Sequence, residues 1–488
     1  MAAKDIVMRD LHCAHVVTAA DVPAVVARTI RIEGDRIASV ETGGQGTAEP
    51  LLALPALVNA HDHARTIRSS SFGTAGKPLE TWLHYLALLP PVEPYLAAAV
   101  SLARSALGGA GAVMVHYTRQ QGLTDLPTEA KEVARAARDV GVRVGFAVSL
   151  RNRNPLVYGP SEPILAALPE STRDEIKRRF VRAPALVNDQ IALVDAVAAA
   201  AASPMFDVQY GPNGVQWCTP ELLEAIAAAS ARTGRRVHMH LLETRYQRTW
   251  ADAEFPGGIV RYLDRIGLLS PRLTLAHCVW ARPDELELLA ERGVTIAVNT
   301  SSNLGIRSGV APLTEMVRRG CRVAFGLDGL ALDEDDDALR EMRLAHLLHG
   351  GVGFRVDVKR SDILAMAFHH GRRSVLNVEQ GGALSAGAPA DILLLDWAAI
   401  DEDRLRADLD PLDLLFARTT ARHIRELIVA GRTVTRDGKV IGIDYPAMRE
   451  ELLGRLRSGM QQNAAFATAL NDLAHVIERH FENEPPCC

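Results

Sequence analysis

Between residues 51 and 330 eight short apolar, β-branched runs alternate with Ala-, Leu-, Glu- and Arg-rich stretches. The runs are 54–60, 112–117, 143–149, 206–210, 236–241, 273–277, 294–298 and 322–327. Continuous apolar strands separated by helices predict a parallel sheet covered on both faces. Eight such units predict an α/β fold, a closed (β/α)8 TIM-like barrel.

The helical stretches carry their own punctuation. Thr219-Pro220-Glu221 starts one with a capping residue, a proline in the first turn and an early acid, and Gly234 ends it. Pro283-Asp284-Glu285 starts another, ending near Gly293. Acids from Asp333 to Asp337 precede a run over 338–349, where they favour the helix dipole. The connection 151–203, between the third and fourth runs, is long and partly helical. An insertion at that end of a barrel is placed to cover a pocket.

Both chain ends read differently. Runs 5–8, 15–18 and 29–32 are β-prone, and Glu33-Gly34-Asp35-Arg36 reads as a hairpin turn. After residue 378 the β character returns, with a turn at 387–391 and runs 392–395, 424–429 and 432–434. Neither half is large enough to stand alone. The expected organisation is a small β-sandwich domain from 1–57 and 379–445, a barrel over 58–378, and a helical extension over 446–488 with a flexible tail.

A net charge of −5, from 54 basic and 59 acidic residues, implies no basic face, so nucleic acid is not an expected partner. Lys4, Asp5, Arg9 and Asp10 interrupt the start, which lacks the apolar core of a signal peptide. The longest apolar stretch, 192–206, is too short to cross a bilayer. Six cysteines in 488 residues form no disulfide framework. The terminal Cys487-Cys488 reads as a disordered end with two thiols rather than a prenylated tail. These features predict a cytoplasmic protein with no membrane partner.

Polar residues gather where the strand runs end. The first run closes on His61-Asp62-His63. Side chains two apart on a strand point the same way, so both imidazoles can aim at one point. The fifth reads Val237-His238-Met239-His240, with Glu243 just beyond; the sixth ends at His277 and the eighth at Asp328. Each residue alone has a structural explanation, as a hydrogen-bonded core histidine or a capping acid. Together, four separate strands deliver metal-ligand types to the end of the barrel where active sites lie.

This pattern resembles the amidohydrolase superfamily, in its mononuclear deaminase- and chlorohydrolase-like branch, over about residues 1–445. The carriers are Leu54-Pro55-Ala56-Leu57-Val58-Asn59-Ala60-His61-Asp62-His63, His240-Leu241-Leu242-Glu243 and Leu275-Ala276-His277-Cys278. Ser302-Asn303-Leu304, Gly326-Leu327-Asp328-Gly329 and the stretch from Gly382-Ala383-Leu384 to Ala390-Asp391 complete the set. The resemblance implies that His61, His63, His240 and Asp328 hold one divalent ion, Zn²⁺ or Fe²⁺. It makes Glu243 the proton shuttle, His277 a hydrogen-bond partner of water or substrate, and Asp328 the acceptor of the water's proton. Imidazole and carboxylate suit either ion, and a buried acid suits proton transfer to a ring nitrogen. His238 is expected to support the site or the core rather than ligate.

Binuclear relatives bridge two ions with a carboxylated lysine, usually on the fourth strand. No lysine stands between Lys177 and Lys359, which favours one ion. By the same resemblance Glu80 would bind an amidine-like edge, and Trp82 would stack on a ring or merely pack. Gln216, Trp217, His116 and Asn303 complete the expected substrate contacts. The chain departs from the family pattern at Val298-Asn299-Thr300, where many members read His-Asn-Pro, and at Gly326-Leu327-Asp328, where Gly-Thr-Asp is commoner.

The expected activity is hydrolytic deamination of an aminated N-heterocycle of purine, pterin, pyrimidine or triazine type, with release of ammonia. The same machinery could cleave a ring amide, a carbamate or a carbon–halogen bond. A metal-free scaffold on this fold would have lost ligands, and here all are present. The resemblance also implies a homodimer or larger homo-oligomer acting on a small molecule.

Overall fold

A computed structural model of the chain describes residues 8–43, 48–153, 156–378, 380–406 and 408–482. Eight strands form the barrel: β1 (Leu57–Asp62), β2 (Ala110–Tyr117), β3 (Arg143–Leu150), β4 (Phe206–Pro212), β5 (Val237–Leu241), β6 (Leu273–His277), β7 (Thr295–Val298) and β8 (Arg322–Phe325). They lie side by side in chain order, each paired parallel to the next. The circle closes between β8 and β1, where the amides of Leu327 and Asp328 donate to the His61 carbonyl at 3.1 and 2.9 Å. Gly326 makes that approach feasible, since a Cβ there would sit 2.7 Å from the His61 Cβ and 2.0 Å from Asn299 Oδ1.

One expected strand divides in two. The run 54–60 spans the end of Glu49–Pro55 and most of β1, with Ala56 between them. The Ala56 amide donates to Asp391 and the Leu57 amide to Gly109, so the chain changes partners there. Both pieces are buried around the break, which is why the apolar run shows no interruption.

The second sheet also has eight strands and draws on both chain ends. Its order is 439–440, 432–436, 424–429, 392–396, 49–55, 8–16, 25–33 and 36–42. The two ends meet where Ile392–Asp396 runs antiparallel to Glu49–Pro55. Leu11, Ile30, Ile32, Ile37, Ile392 and Ile428 form its own buried cluster. The expected runs 5–8 and 15–18 reduce to one strand, Met8–Val16, and Asp5–Val7 lie outside the described residues. The turn at 33–36 forms as expected, with Gly34 at φ 62°. Cys487-Cys488 also lie outside the described residues.

Above the strand ends lies a roof from two distant parts of the chain. Helix α1 (Leu79–Tyr85) follows β1. The insertion between β3 and β4 supplies Glu162–Ala167 and Glu170–Phe180. Two further helices used below are α2 (Thr300–Gly305), directly after β7, and α3 (Ala338–His349). The last helix, α4 (Ala464–Glu482), buries Phe466, Leu470, Leu473 and Ile477 against Tyr85, Leu88, Ile164 and Ile176. Each such side chain contributes about 2 kcal/mol of burial. Tyr85 donates to Asn471 at 2.9 Å and Thr172 to Asp472 at 2.6 Å. Among the described residues, no helix is long and apolar enough to cross a membrane.

A candidate metal centre at the strand ends

The strand ends carry unusual backbone. Ala64, Leu242, His277 and Asp328 all have positive φ, at 50°, 50°, 75° and 55°. Non-glycine residues rarely adopt this region, and such strain gathers at functional sites. Here it turns the chain away from the barrel just where each strand presents its polar residue. Asp62, between the two histidines, does not face the centre. Its carboxylate accepts from the amides of His63 (2.7 Å), Ala64 (2.9 Å) and Gly329 (3.0 Å), and from Asn59 Nδ2 (2.8 Å). It ties the end of β1 to the loop after β8.

The imidazoles are oriented from behind. His63 Nδ1 donates to the His116 carbonyl at 2.8 Å, and His240 Nδ1 donates to the Asn213 carbonyl at 2.6 Å. A carbonyl only accepts, so both rings carry a hydrogen on Nδ1 and turn Nε2 toward the centre. Those two Nε2 atoms face each other at 3.3 Å. Asp328 Oδ1 lies 3.1 Å from His63 Nε2 and 3.6 Å from His61 Nε2. The His61 Nε2 is buried with no hydrogen-bond partner, while its Nδ1 is 2.7 Å from His238 Nε2. Three imidazole nitrogens and a carboxylate oxygen therefore converge on one point. A divalent cation satisfies such a set. The ligand atoms of His61, His63 and His240, and those of His61, His277 and Asp328, lie within 4.8 Å of one another. The cluster could hold one metal ion.

The charges agree with that use. Burial and the neighbouring imidazoles hold His61 and His240 well below the ordinary histidine range, so both stay neutral. Burial opposes charge on Asp328, but the Arg65 guanidinium, 3.0 Å from Oδ1, outweighs it and keeps the carboxyl ionised. Glu243 is the opposite case. Burial first, then the nearby carboxylates of Asp328 and Glu80, push it well above the usual carboxylate range. Its Oε1 lies 3.7 Å from His277 Nε2, and His277 Nδ1 donates to Asn303 Oδ1 at 2.9 Å. Two buried carboxyls shifted in opposite directions line the cavity, an arrangement suited to acid–base chemistry.

A cavity of about 210 Å³ opens onto this centre. His63, His240, Glu243, His277 and Asp328 form its floor, and Trp82 and Trp217 stand in its walls. Four other expected substrate contacts do not line it. Glu80 is turned away, its Oε1 accepting from Thr244 and from Tyr158 (2.8 Å) in a buried network. His116 lies beneath the floor, with its ring 4.8 Å from that of His240 and its Nε2 donating to Gly211 at 3.0 Å. Gln216 is buried behind the wall, and Asn303 is engaged with His277. Trp82 packs one face under Arg65, whose guanidinium sits 4.4 Å from the ring centre. Arg65, Thr118, Arg119, Arg151 and Asn213 line the cavity without having been anticipated. Arg65 alone left a readable signal, continuing the alternation His61, His63 by one more step.

A family model described as the amidohydrolase family matches residues 52–434. The chain belongs to the amidohydrolase family. This amidohydrolase is 28% identical over 421 residues to the 5'-deoxyadenosine deaminase of Methanothermobacter thermautotrophicus, covering 84% of this chain and 90% of that protein. It is 28% identical over 437 residues to the 5-methylthioadenosine/S-adenosylhomocysteine deaminase of Pyrococcus horikoshii, covering 87% of this chain and 94% of that protein. Among solved structures it resembles an atrazine chlorohydrolase of Arthrobacter aurescens complexed with zinc and atraton, with TM-score 0.75, 23% identity, and coverage of 92% and 99% of the two chains. It also resembles an adenosine deaminase of Xanthomonas campestris with bound zinc, with TM-score 0.74, 20% identity, and coverage of 92% and 98%. At these identities the two structures speak to the fold of the amidohydrolase, a barrel joined to a second sheet.

Proposed function

We propose that this amidohydrolase is a metal-dependent hydrolytic deaminase of an aminated N-heterocycle, and within that class of an aminopurine compound. The observation that carries the reading is the state of Glu243. Its carboxyl lines the cavity beside the ligand cluster, with Oε1 3.7 Å from His277 Nε2, and burial, Asp328 and Glu80 push its pKa well above the usual range. A ring nitrogen next to an amino-bearing carbon must gain a proton as water adds to that carbon, and Glu243 is placed to give it. The two deaminases that match most of the chain support the purine assignment.

His61, His63, His240 and Asp328 would hold the ion, zinc or iron; the zinc in two structural neighbours favours zinc. When bound, the ion supplies the Lewis acidity that makes water a nucleophile at neutral pH. The other steps belong to the chain. Asp328, ionised and fixed by Arg65 and Ser302, accepts a proton from the attacking water. Glu243 protonates the ring nitrogen, the proton taken up by Asp328 passes to the amino group, which leaves as ammonia, and the added hydroxyl returns its proton to Glu243 as it becomes the product carbonyl. His277, held by Asn303 through Nδ1, presents Nε2 as an acceptor to the oxygen that becomes the product carbonyl. Trp82 and Trp217 exclude water from the sides of the cavity. We assign the barrel to residues 58–378, the small β domain to 1–57 with 379–445, and the helical extension to 446–488. We place the protein in the cytoplasm as a homodimer or larger assembly.

The test is ammonia release from a panel of aminopurine nucleosides, aminopterins, cytosines and aminotriazines, with protein reconstituted separately with Zn²⁺ and Fe²⁺. Ammonia from an aminopurine is expected. Metal-loaded protein that releases halide or opens a ring, and never ammonia, would replace deamination by dehalogenation or amide cleavage.

A further inference from the structure

Helix α2 carries two contacts to the centre on opposite sides. Ser302 Oγ donates to Asp328 Oδ2 at 2.6 Å, and Asn303 Oδ1 accepts from His277 Nδ1 at 2.9 Å. Where these six residues sit therefore decides where a ligand carboxylate and a proton-handling imidazole sit. Yet the helix begins without a cap of its own, because the Asn299 side chain makes no capping hydrogen bond. The missing acceptor comes from α3. Glu341 accepts from the Ser301 amide at 3.0 Å through one carboxylate oxygen and from the Ser301 hydroxyl through the other.

Glu341 is an odd residue to find there. It is 2% exposed, and among the described residues it forms no ion pair. The Asp337 carboxylate, on the same helix, acts on it with its own sign. A buried carboxylate without a cation is costly, and an apolar residue would fill the space between two helices at less cost. What the carboxylate provides and an apolar residue does not is a two-point grip on Ser301.

We propose that Glu341 is a positioning residue for the metal centre, fixing α2 through Ser301 and thereby both Asp328 and His277. The inference rests on the reading of His61, His63, His240 and Asp328 as a metal centre. Neither Glu341 nor Ser301 lines the cavity, so the effect is transmitted rather than direct.

The experiment compares the full-length protein with Glu341→Gln, Glu341→Leu and Ser301→Ala, each loaded with Co²⁺. Affinity is read by competition with a chromophoric chelator, ligand geometry by the visible absorption of the bound Co²⁺, and integrity by thermal unfolding. Glutamine keeps the acceptor for the Ser301 amide and donates to its hydroxyl. Glu341→Leu and Ser301→Ala should bind Co²⁺ at least fivefold more weakly and shift the absorption band, whereas Glu341→Gln should stay within twofold of wild type. Wild-type affinity and spectrum in Glu341→Leu would overturn the inference, as would a glutamine variant as impaired as the leucine one. If Glu341→Leu does not fold, wild-type behaviour of Ser301→Ala overturns it equally. A wild-type protein that takes up no ion would overturn the metal reading itself, and this inference with it, which separates the two failures.

Discussion

His61 Nδ1 and His238 Nε2 lie 2.7 Å apart, in rings inclined by only 13°. The contact fixes the His61 ring and turns its Nε2 inward. In the proposed metal centre His238 thus stands behind a ligand and is not one. His238→Phe should weaken metal binding about 10- to 100-fold while leaving one ion per chain. Chelator competition reads this, and an unchanged affinity would remove His238 from the site.

His63 Nε2 and His240 Nε2, 3.3 Å apart, face one point that an ion would occupy. An ion bound only by the folded state stabilises it by about 4 kcal/mol at a thousandfold excess over Kd. Zn²⁺ should raise the thermal midpoint by several degrees, chelation should reverse it, and His240→Ala should abolish the response. Calorimetry with and without chelator decides, and identical midpoints would argue against the cluster as a metal centre.

Glu243→Gln preserves shape and hydrogen bonding but not the proton. It should retain the ion and lose about 10²- to 10⁴-fold in kcat, with a smaller change in KM. Metal content and steady-state kinetics on the same sample check both halves. A variant keeping most of its turnover would assign the proton transfer elsewhere.

Burial pushes Glu341 up to about 7 from an ordinary 4.5, against the opposing hydrogen bonds from Ser301. The folded state therefore binds more protons than the unfolded one between those values, so stability falls as pH rises through them. The penalty is absent below about pH 4 and reaches about 3 kcal/mol above about pH 8. Glu341→Gln has no such penalty. Denaturant midpoints at pH 5 and pH 8 should converge with the wild type at the lower value and favour glutamine at the higher. Parallel pH dependence in the two proteins would show that Glu341 does not titrate in this window.

Much of the barrel was legible because its strands are buried on both faces and read as apolar runs between helices. For the same reason the boundary at Ala56 was invisible, since leaving one buried sheet for another changes no hydropathy. The residues of the floor were legible because strand ends converge in a barrel whatever lies between them. The walls were not. Glu80 sits at a position that suggests a substrate contact, yet Tyr158 and Thr244 capture its carboxyl from segments 78 and 164 residues away. Glu341 reads as an ordinary acid in the first turn of a helix, and only the tertiary contact with Ser301 gives it a different role.

The roof over the cavity is assembled from the segment after β1 and the insertion before β4, with the last helix of the chain packed against them. The floor, by contrast, is fixed by left-handed residues at four strand ends. Reaction and selection are thus entrusted to separable parts. The first tolerates little change, because backbone geometry itself is at stake. The second can drift or be exchanged piece by piece, so descendants of such a chain can acquire new diets while inheriting the same chemistry.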